Sequence, residues 1–164
     1  MTHDPILTQL VGDKGTFARD HWGRTPILRR GTWRDATADL FGVTNVLATL
    51  TGSALRPPHV RLVKGGRPVP AERFTHAVRI AHGIITDAVD LERLLSEFRQ
   101  GATLMLDSFE DDSPRVQEAC RSLSQSPRCP VDSYVFITPP GEKGLELHYD
   151  IKDVFGPCSR QVSV

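Results

Sequence analysis

The stretch Leu147 to Phe155, with the sequence LHYDIKDVF, constrains the fold of this 164-residue chain more than any other segment. It follows the turn-forming run Pro139 to Gly144, and this Gly/Pro boundary predicts a β-strand. His148 and Asp150 are two positions apart, so in a strand both side chains point to the same face. An imidazole and a carboxylate placed in this way supply two of the three protein ligands of a 2-His-1-carboxylate iron(II) site. The alternative is a surface strand on which the two residues have no shared role.

Composition excludes several classes of protein. The chain has 20 basic and 20 acidic residues, so no net field favours nucleic acid or an anionic membrane. The chain has three cysteines, Cys120, Cys129 and Cys158, and no CxxC pair. An odd number without such a pair favours reduced thiols in an intracellular protein. The N-terminus lacks the pattern of a signal peptide, and no apolar run has the length of a membrane span. We therefore expect a soluble cytoplasmic protein.

Capping and turn residues divide the chain into short elements within one domain, residues 1–164. Asp90 is a good N-cap for a helix that ends before Gly101. Gly65 and Gly66 predict a tight hairpin turn. The predicted helices are Thr44 to Leu50, Leu91 to Gln100 and one that opens at Ser113 and Pro114; the predicted strands are His59 to Val63, Ala102 to Leu106 and Val131 to Thr138.

This order of elements predicts an α+β fold. Residues 1–100 are expected to be mainly helical with a hairpin, and residues 101–164 to hold the first strands of a barrel. Because short connections join the later strands, we expect a helical N-terminal region that leads into an incomplete double-stranded β-helix, the cupin or jelly-roll architecture.

The remaining reactive side chains are assigned structural roles. Asp153 is either a solvated charge or an acceptor that orients a ligand histidine. Cys158 has no base near it in the sequence and is a poor candidate nucleophile. Four histidines have no partner at ligand spacing, and the last two fall in a predicted helix-loop region: His21, His59, His76 and His82.

The chain resembles the JmjC-type cupin oxygenases, especially the group that hydroxylates ribosomal proteins. The metal-binding strand carries the most specific similarity, and the four similar passages together extend over most of the chain in the family's order. The passages are FARDHWGRTPILRR (17–30), HVRLVKGGRPVP (59–70), GATLML (101–106) and TPPGEKGLELHYDIKDVF (138–155).

This resemblance implies an enzyme that depends on iron(II) and uses 2-oxoglutarate as cosubstrate to hydroxylate a protein side chain. His148 and Asp150 would be metal ligands. The family has an Asn and then a Tyr on the preceding strand, where they help to hold the cosubstrate, and this chain has Tyr134 and Phe136 there. Phe136 lacks the hydroxyl that would hydrogen-bond a carboxylate. Ser163 stands near the position of the family's cosubstrate-binding Lys or Arg, and it cannot supply a cation.

The C-terminal residues depart from the family's pattern. The family continues with an apolar strand and a second metal-binding histidine, whereas Gly156 to Val164 reads GPCSRQVSV. Pro157 would remove a hydrogen-bond donor from a central strand. The resemblance thus leads us to expect a form truncated before the second histidine, as a frameshift would produce, and sequencing of the coding DNA beyond Val164 tests this.

Two other functions stay open. A catalytically inactive cupin-like module or remnant would bind a protein partner, and its exposed sheet edges would favour self-association. A zinc or manganese cupin of different chemistry, such as a sugar isomerase, is also compatible with the HxD step.

Overall fold

A computed structural model describes residues 5–29, 42–52, 55–125 and 129–156. Within these ranges the chain is mixed α and β, as the sequence predicts, and all strand pairs are antiparallel. The helices are α1 (Pro5–Val11), α2 (Lys14–Asp20), α3 (Val43–Gly52), α4 (Leu91–Arg99) and α5 (Pro114–Gln125). The strands are β1 (Val60–Lys64), β2 (Arg67–Pro68), β3 (Thr75–Ile80), β4 (Gly83–Val89), β5 (Thr103–Asp107) and β6 (Tyr134–Ile137).

Strand β5 lies inside a four-stranded sheet with the order β2-β1-β5-β6. Its sequence, TLMLD, is apolar on both faces of the strand, and its first four residues are all buried. A strand buried on both faces reads as a continuous apolar run, which explains why β5 occupies the interior of the sheet. The predicted turn at Gly65 and Gly66 is confirmed: both residues have positive φ and connect β1 to β2.

One face of this sheet packs against helices. The alternate residues Val60, Leu62, Leu104 and Leu106 point into the main core. Helix α4 adds Leu94 to this core, and α5 adds further side chains. The predicted helices are confirmed here. Asp90 caps α4 by accepting a hydrogen bond from the Arg93 backbone N–H at 3.1 Å, and α5 buries the side chains of Val116, Ala119, Cys120 and Leu123.

Strands β3 and β4 form a separate two-stranded sheet, which corrects the expectation of a helix-loop region around His76 and His82. His76 lies in β3, and His82 lies in the turn before β4. The hairpin is held to α4 because Phe74 is buried in the core and its carbonyl oxygen accepts from the Asp90 N–H at 2.9 Å. Most residues of β3 are exposed, so the strand lacks the alternating burial that would have marked it in the sequence.

The opposite face of the four-stranded sheet has no layer of secondary structure on it among the described residues. We call it the open face and define it by Arg61, Met105, Asp107, Tyr134 and Phe136, which the strand register places side by side. Arg61 and Asp107 form a two-point ion pair with N–O distances of 2.7 and 2.9 Å. Tyr134 and Phe136 are 44% and 50% exposed, so large apolar surface remains in contact with solvent.

The segment after β6 corrects a second expectation. Residues 138–156 contain no strand, although the sequence predicts one that carries His148 and Asp150. No described strand offers this segment a hydrogen-bonded neighbour, and without one an alternating sequence does not become a β-strand. The described strands do not close into a barrel. The part of the chain that the structure describes also has no helix with both the length and the apolarity needed to cross a bilayer.

Several sequence-based expectations fall on residues outside the described ranges. These are the proline at position 157, the thiol at position 158 and the serine at position 163, together with the chain end that follows residue 156.

We expect the Leu106→Ala substitution to destabilise the fold by roughly 2–5 kcal/mol, because it opens a cavity beneath the central strand. Leu106 is 1% exposed. The matched control is Leu28→Ala at an exposed position, which should change stability by less than about 0.5 kcal/mol. Urea denaturation of both variants measures the difference. Equal midpoints would contradict the role assigned to β5.

Candidate functional site

Residues 146–152, which we call the strap, form an irregular surface segment that bends at Leu147, Ile151 and Lys152 and contacts the rest of the molecule through the side chains at its two ends. At its start, the Glu146 side chain lies against the turn at Gly66, where its Cγ is 2.8 Å from the position a Cβ would occupy. At its end, the Lys152 ammonium donates to Asp132 Oδ2 at 2.8 Å and to the Tyr134 hydroxyl at 3.1 Å. The strap is therefore presented at the surface between two fixed points.

His148 and Asp150 lie in the middle of the strap and come close to each other. His148 Nε2 is 3.9 Å from Asp150 Oδ2, and both side chains are about half exposed. His148 Nδ1 is 2.8 Å from the carbonyl oxygen of Glu146. A carbonyl oxygen only accepts, so the proton of the neutral ring sits on Nδ1 and the Nε2 lone pair is available.

This pair can contact a single divalent ion. Two ligands that each lie about 2.0–2.2 Å from a metal are about 3 Å apart when they occupy adjacent octahedral positions and at most about 4.4 Å apart, so the exposed side chains, now 3.9 Å apart, would close by about 1 Å to act as adjacent ligands. Among the described residues, no group of three His, Cys, Asp or Glu side chains is suited to hold a metal. The arrangement therefore fits two ligands, and the remaining positions of the ion would need other groups.

The two expected cosubstrate residues lie on β6 and project from the open face. Tyr134 is opposite Asp107 on β5, and Phe136 is opposite Met105. Phe136 offers no polar atom, so a carboxylate gains no hydrogen bond there. Tyr134 keeps its hydroxyl within reach of the strap through Lys152.

Lys152 is the polar residue that sequence reasoning missed. Its ammonium lies 5.3 Å from the centroid of the Tyr134 ring, and the hydrogen bond to Asp132 raises the pKa of Lys152 above its usual value. An ammonium has three donors, and Asp132 and Tyr134 use two of them. The signal was present in the sequence, because Lys152 continues the two-residue spacing of His148 and Asp150.

Asp153 does not orient His148 in the described structure. The Glu146 carbonyl takes the hydrogen bond from Nδ1 that such an acceptor would receive, and Asp153 is exposed. Three of the other described histidines have contacts elsewhere in the fold. His21 lies near Thr25, His59 near the Asp107 carbonyl and His76 near Asp90.

A second group of polar side chains lies beside α5. The Ser133 hydroxyl donates to Glu110 Oε2 at 2.5 Å, and Cys120 borders a shallow depression of about 270 Å³ next to them. Burial raises the pKa of the Cys120 thiol to about 11, with the nearby Glu110 carboxylate adding to the effect. A thiol with this pKa is protonated near neutral pH and is a poor nucleophile.

Comparison with known proteins adds no assignment. Neither the scan against protein-family models nor the search of curated proteins found a match to this chain.

We expect Cys120 to resist alkylation in the native protein, because its thiolate forms only at strongly alkaline pH. Iodoacetamide at pH 8 should modify Cys129, which is partly exposed, well before Cys120. Peptide mass spectrometry over time measures the two rates, and urea-unfolded protein provides the control in which both thiols react. Equal rates in the native protein would contradict the prediction.

Proposed function

We propose that this chain carries the metal-ligating part of an iron(II)- and 2-oxoglutarate-dependent oxygenase of the JmjC type, in which His148 and Asp150 are two of the protein ligands. The proposed substrate class is a protein side chain, by resemblance one of a ribosomal protein. When bound, iron with its cosubstrate supplies the oxidising chemistry for hydroxylation of a C–H bond.

The observation that carries the proposal is the 3.9 Å approach of His148 Nε2 to Asp150 Oδ2. It is supported by the hydrogen bond of Nδ1 to the Glu146 carbonyl, which leaves Nε2 free to bind a metal. A ligand histidine usually has its other ring nitrogen held in this way, because the hydrogen bond fixes the ring's orientation and tautomer.

The open face is consistent with the finer fold proposal, a double-stranded β-helix. In such a fold, one face of each sheet lines the interior of the barrel and the other packs outward. The helices cover one face of the β2-β1-β5-β6 sheet, so the open face with Tyr134 would be the interior one.

Within this proposal, Lys152 and Tyr134 replace the cosubstrate-binding pair expected from the family. A carboxylate of 2-oxoglutarate would accept from the third donor of the ammonium and from the tyrosine hydroxyl, a charge-assisted arrangement that Phe136 cannot offer. Phe136 would contribute apolar contact beside them.

The two-ligand arrangement limits what the described residues do chemically. They bind and orient an ion from one side, and no catalytic step is assigned to them. The alternative function, a cupin-like module that binds a protein without catalysis, is favoured by the exposed apolar side chains of the open face.

We expect His148→Ala and Asp150→Asn each to weaken binding of Mn²⁺, used as a stand-in for iron(II), by at least about tenfold. Removal of a residue that only hydrogen-bonds to a metal ligand typically lowers metal affinity by about 10- to 100-fold. Removal of a ligand itself should therefore cost at least about tenfold. Isothermal titration calorimetry measures the affinity.

The matched controls are His82→Ala and Asp153→Asn, which alter exposed residues of the same types. Both should bind Mn²⁺ as the wild type does. Loss of affinity in the controls equal to that in the test variants would exclude the assigned pair.

We expect purified protein to give no turnover of 2-oxoglutarate, because two protein ligands hold iron weakly. Succinate formation with iron(II), ascorbate and 2-oxoglutarate is the measurement. Iron-dependent succinate production that is lost in His148→Ala would overturn this expectation while supporting the ligand assignment.

Lys152→Met should weaken 2-oxoglutarate binding to the Mn²⁺-loaded protein, because it removes the cation that would pair with a carboxylate. Lys64→Met, at an exposed lysine on β1, is the matched control. Calorimetric titration with 2-oxoglutarate distinguishes them. An unchanged affinity in Lys152→Met would exclude Lys152 from the cosubstrate site and leave the metal pair unaffected.

A further inference from the structure

The strap has two chemically distinct sets of side chains. Leu147, Tyr149 and Ile151 alternate with the polar residues of the strap, and all three are almost fully exposed, Tyr149 at 88% and Ile151 at 95%. Apolar residues at every second position are typical of a strand that buries one of its two faces. The described residues give the strap no strand to pair with, so it combines the sequence of a strand with the exposure of a loop.

We propose that the strap is a self-recognition strand, which pairs antiparallel with the strap of a second copy of this chain about a two-fold axis through Tyr149. In that register each residue meets a complementary one. Glu146 faces Lys152 of the second copy, Leu147 faces Ile151, His148 faces Asp150, and the two Tyr149 rings meet on the axis.

The neighbouring registers are unfavourable. A shift of the axis to Asp150 places two aspartates opposite each other, and a shift to His148 places Glu146 opposite Asp150. Like charges directly opposite each other destabilise a strand pair. If the axis passes between two residues, each apolar side chain of one copy lies opposite a polar side chain of the other. This follows because successive side chains of a strand point to opposite faces. Among the registers centred on His148, Tyr149 and Asp150, the one on Tyr149 matches both sets and pairs the whole length of the strap.

The structure presents the strap in a suitable way for this pairing. Its ends are anchored by Glu146 at the β1–β2 turn and by Lys152 at Asp132, so the middle of the strap stays at the surface. His148 to Asp150 contains no bend, whereas the chain bends at Leu147, Ile151 and Lys152 and has to straighten there for the pair to form. A strand pair of this length is small for a specific interface, so we expect a weak dimer that forms at high protein concentration.

The pairing goes beyond the proposed metal function and is tested without metal. Sedimentation equilibrium in the presence of a chelator should show a reversible monomer–dimer equilibrium of the wild type. Ile151→Lys should raise the dissociation constant by about tenfold, because it removes two symmetry-related apolar pairs. The matched control Ile84→Lys changes an exposed isoleucine on β4 and should leave the constant unchanged.

A cysteine substitution tests the register itself. In a background with Cys129→Ser and Cys158→Ser, Tyr149→Cys places two thiols opposite each other on the axis. Paired residues of antiparallel strands have Cα atoms roughly 4.5–5.5 Å apart, within the range that a disulfide spans. Ile151→Cys in the same background leaves its two thiols roughly 14 Å apart, since they are offset by four residues and a strand rises about 3.4 Å per residue.

Mild oxidation should therefore cross-link Tyr149→Cys into a dimer and leave Ile151→Cys monomeric on a non-reducing gel. A wild type that stays monomeric at its highest soluble concentration overturns the proposal. Equal weakening by Ile84→Lys and Ile151→Lys, or equal cross-linking of the two cysteine variants, also overturns it. Because no metal is present, these outcomes are independent of whether His148 and Asp150 bind an ion.

Discussion

The burial of strand β5 is the constraint on which the rest of the structure depends. Leu104 and Leu106 on one side join the helices to the sheet, while Met105 on the other side is the buried centre of the open face. Strands β1 and β6 are placed by their hydrogen bonds to β5, and β6 in turn positions Tyr134. A strand with apolar residues on both faces favours an interior position, and β5 takes such a position between β1 and β6.

The sheet is covered unequally, and Tyr134 and Phe136 lie on its less covered side. Helices α4 and α5 contribute to the core on one face, whereas Tyr134 and Phe136 stay half exposed on the other. Lys152 joins the strap to that side through Tyr134 and Asp132. The proposed metal pair, the proposed carboxylate site and the proposed self-recognition strand thus share one segment. The polar side chains serve both proposals, since they bind ligands in one and face their complements across the two-fold axis in the other, whereas the backbone and the apolar side chains act only in the pairing.

Sequence reasoning succeeded where local signals and packing agree. Helix α4 was predicted from its N-cap at Asp90 and its end before Gly101, and both signals act over a few neighbouring residues. It failed at the β3–β4 hairpin, whose strands are largely exposed and therefore carry little apolar periodicity. It also failed for the strand expected at His148, because alternation in the sequence describes what a segment can pair with and does not provide the partner.

The sequence by itself determined which chemistry is available: an imidazole and a carboxylate two residues apart, followed by an ammonium at the same spacing. Such a spacing is a property of the chain and holds in any extended conformation. Only the tertiary structure decided that His148 hydrogen-bonds the Glu146 carbonyl, that Lys152 reaches Tyr134 and that Leu147, Tyr149 and Ile151 face solvent. The contact with Tyr134 and the exposure of the three apolar residues depend on which distant segments pack against the strap. That packing reflects the competition of all segments for the core, and local sequence does not encode it.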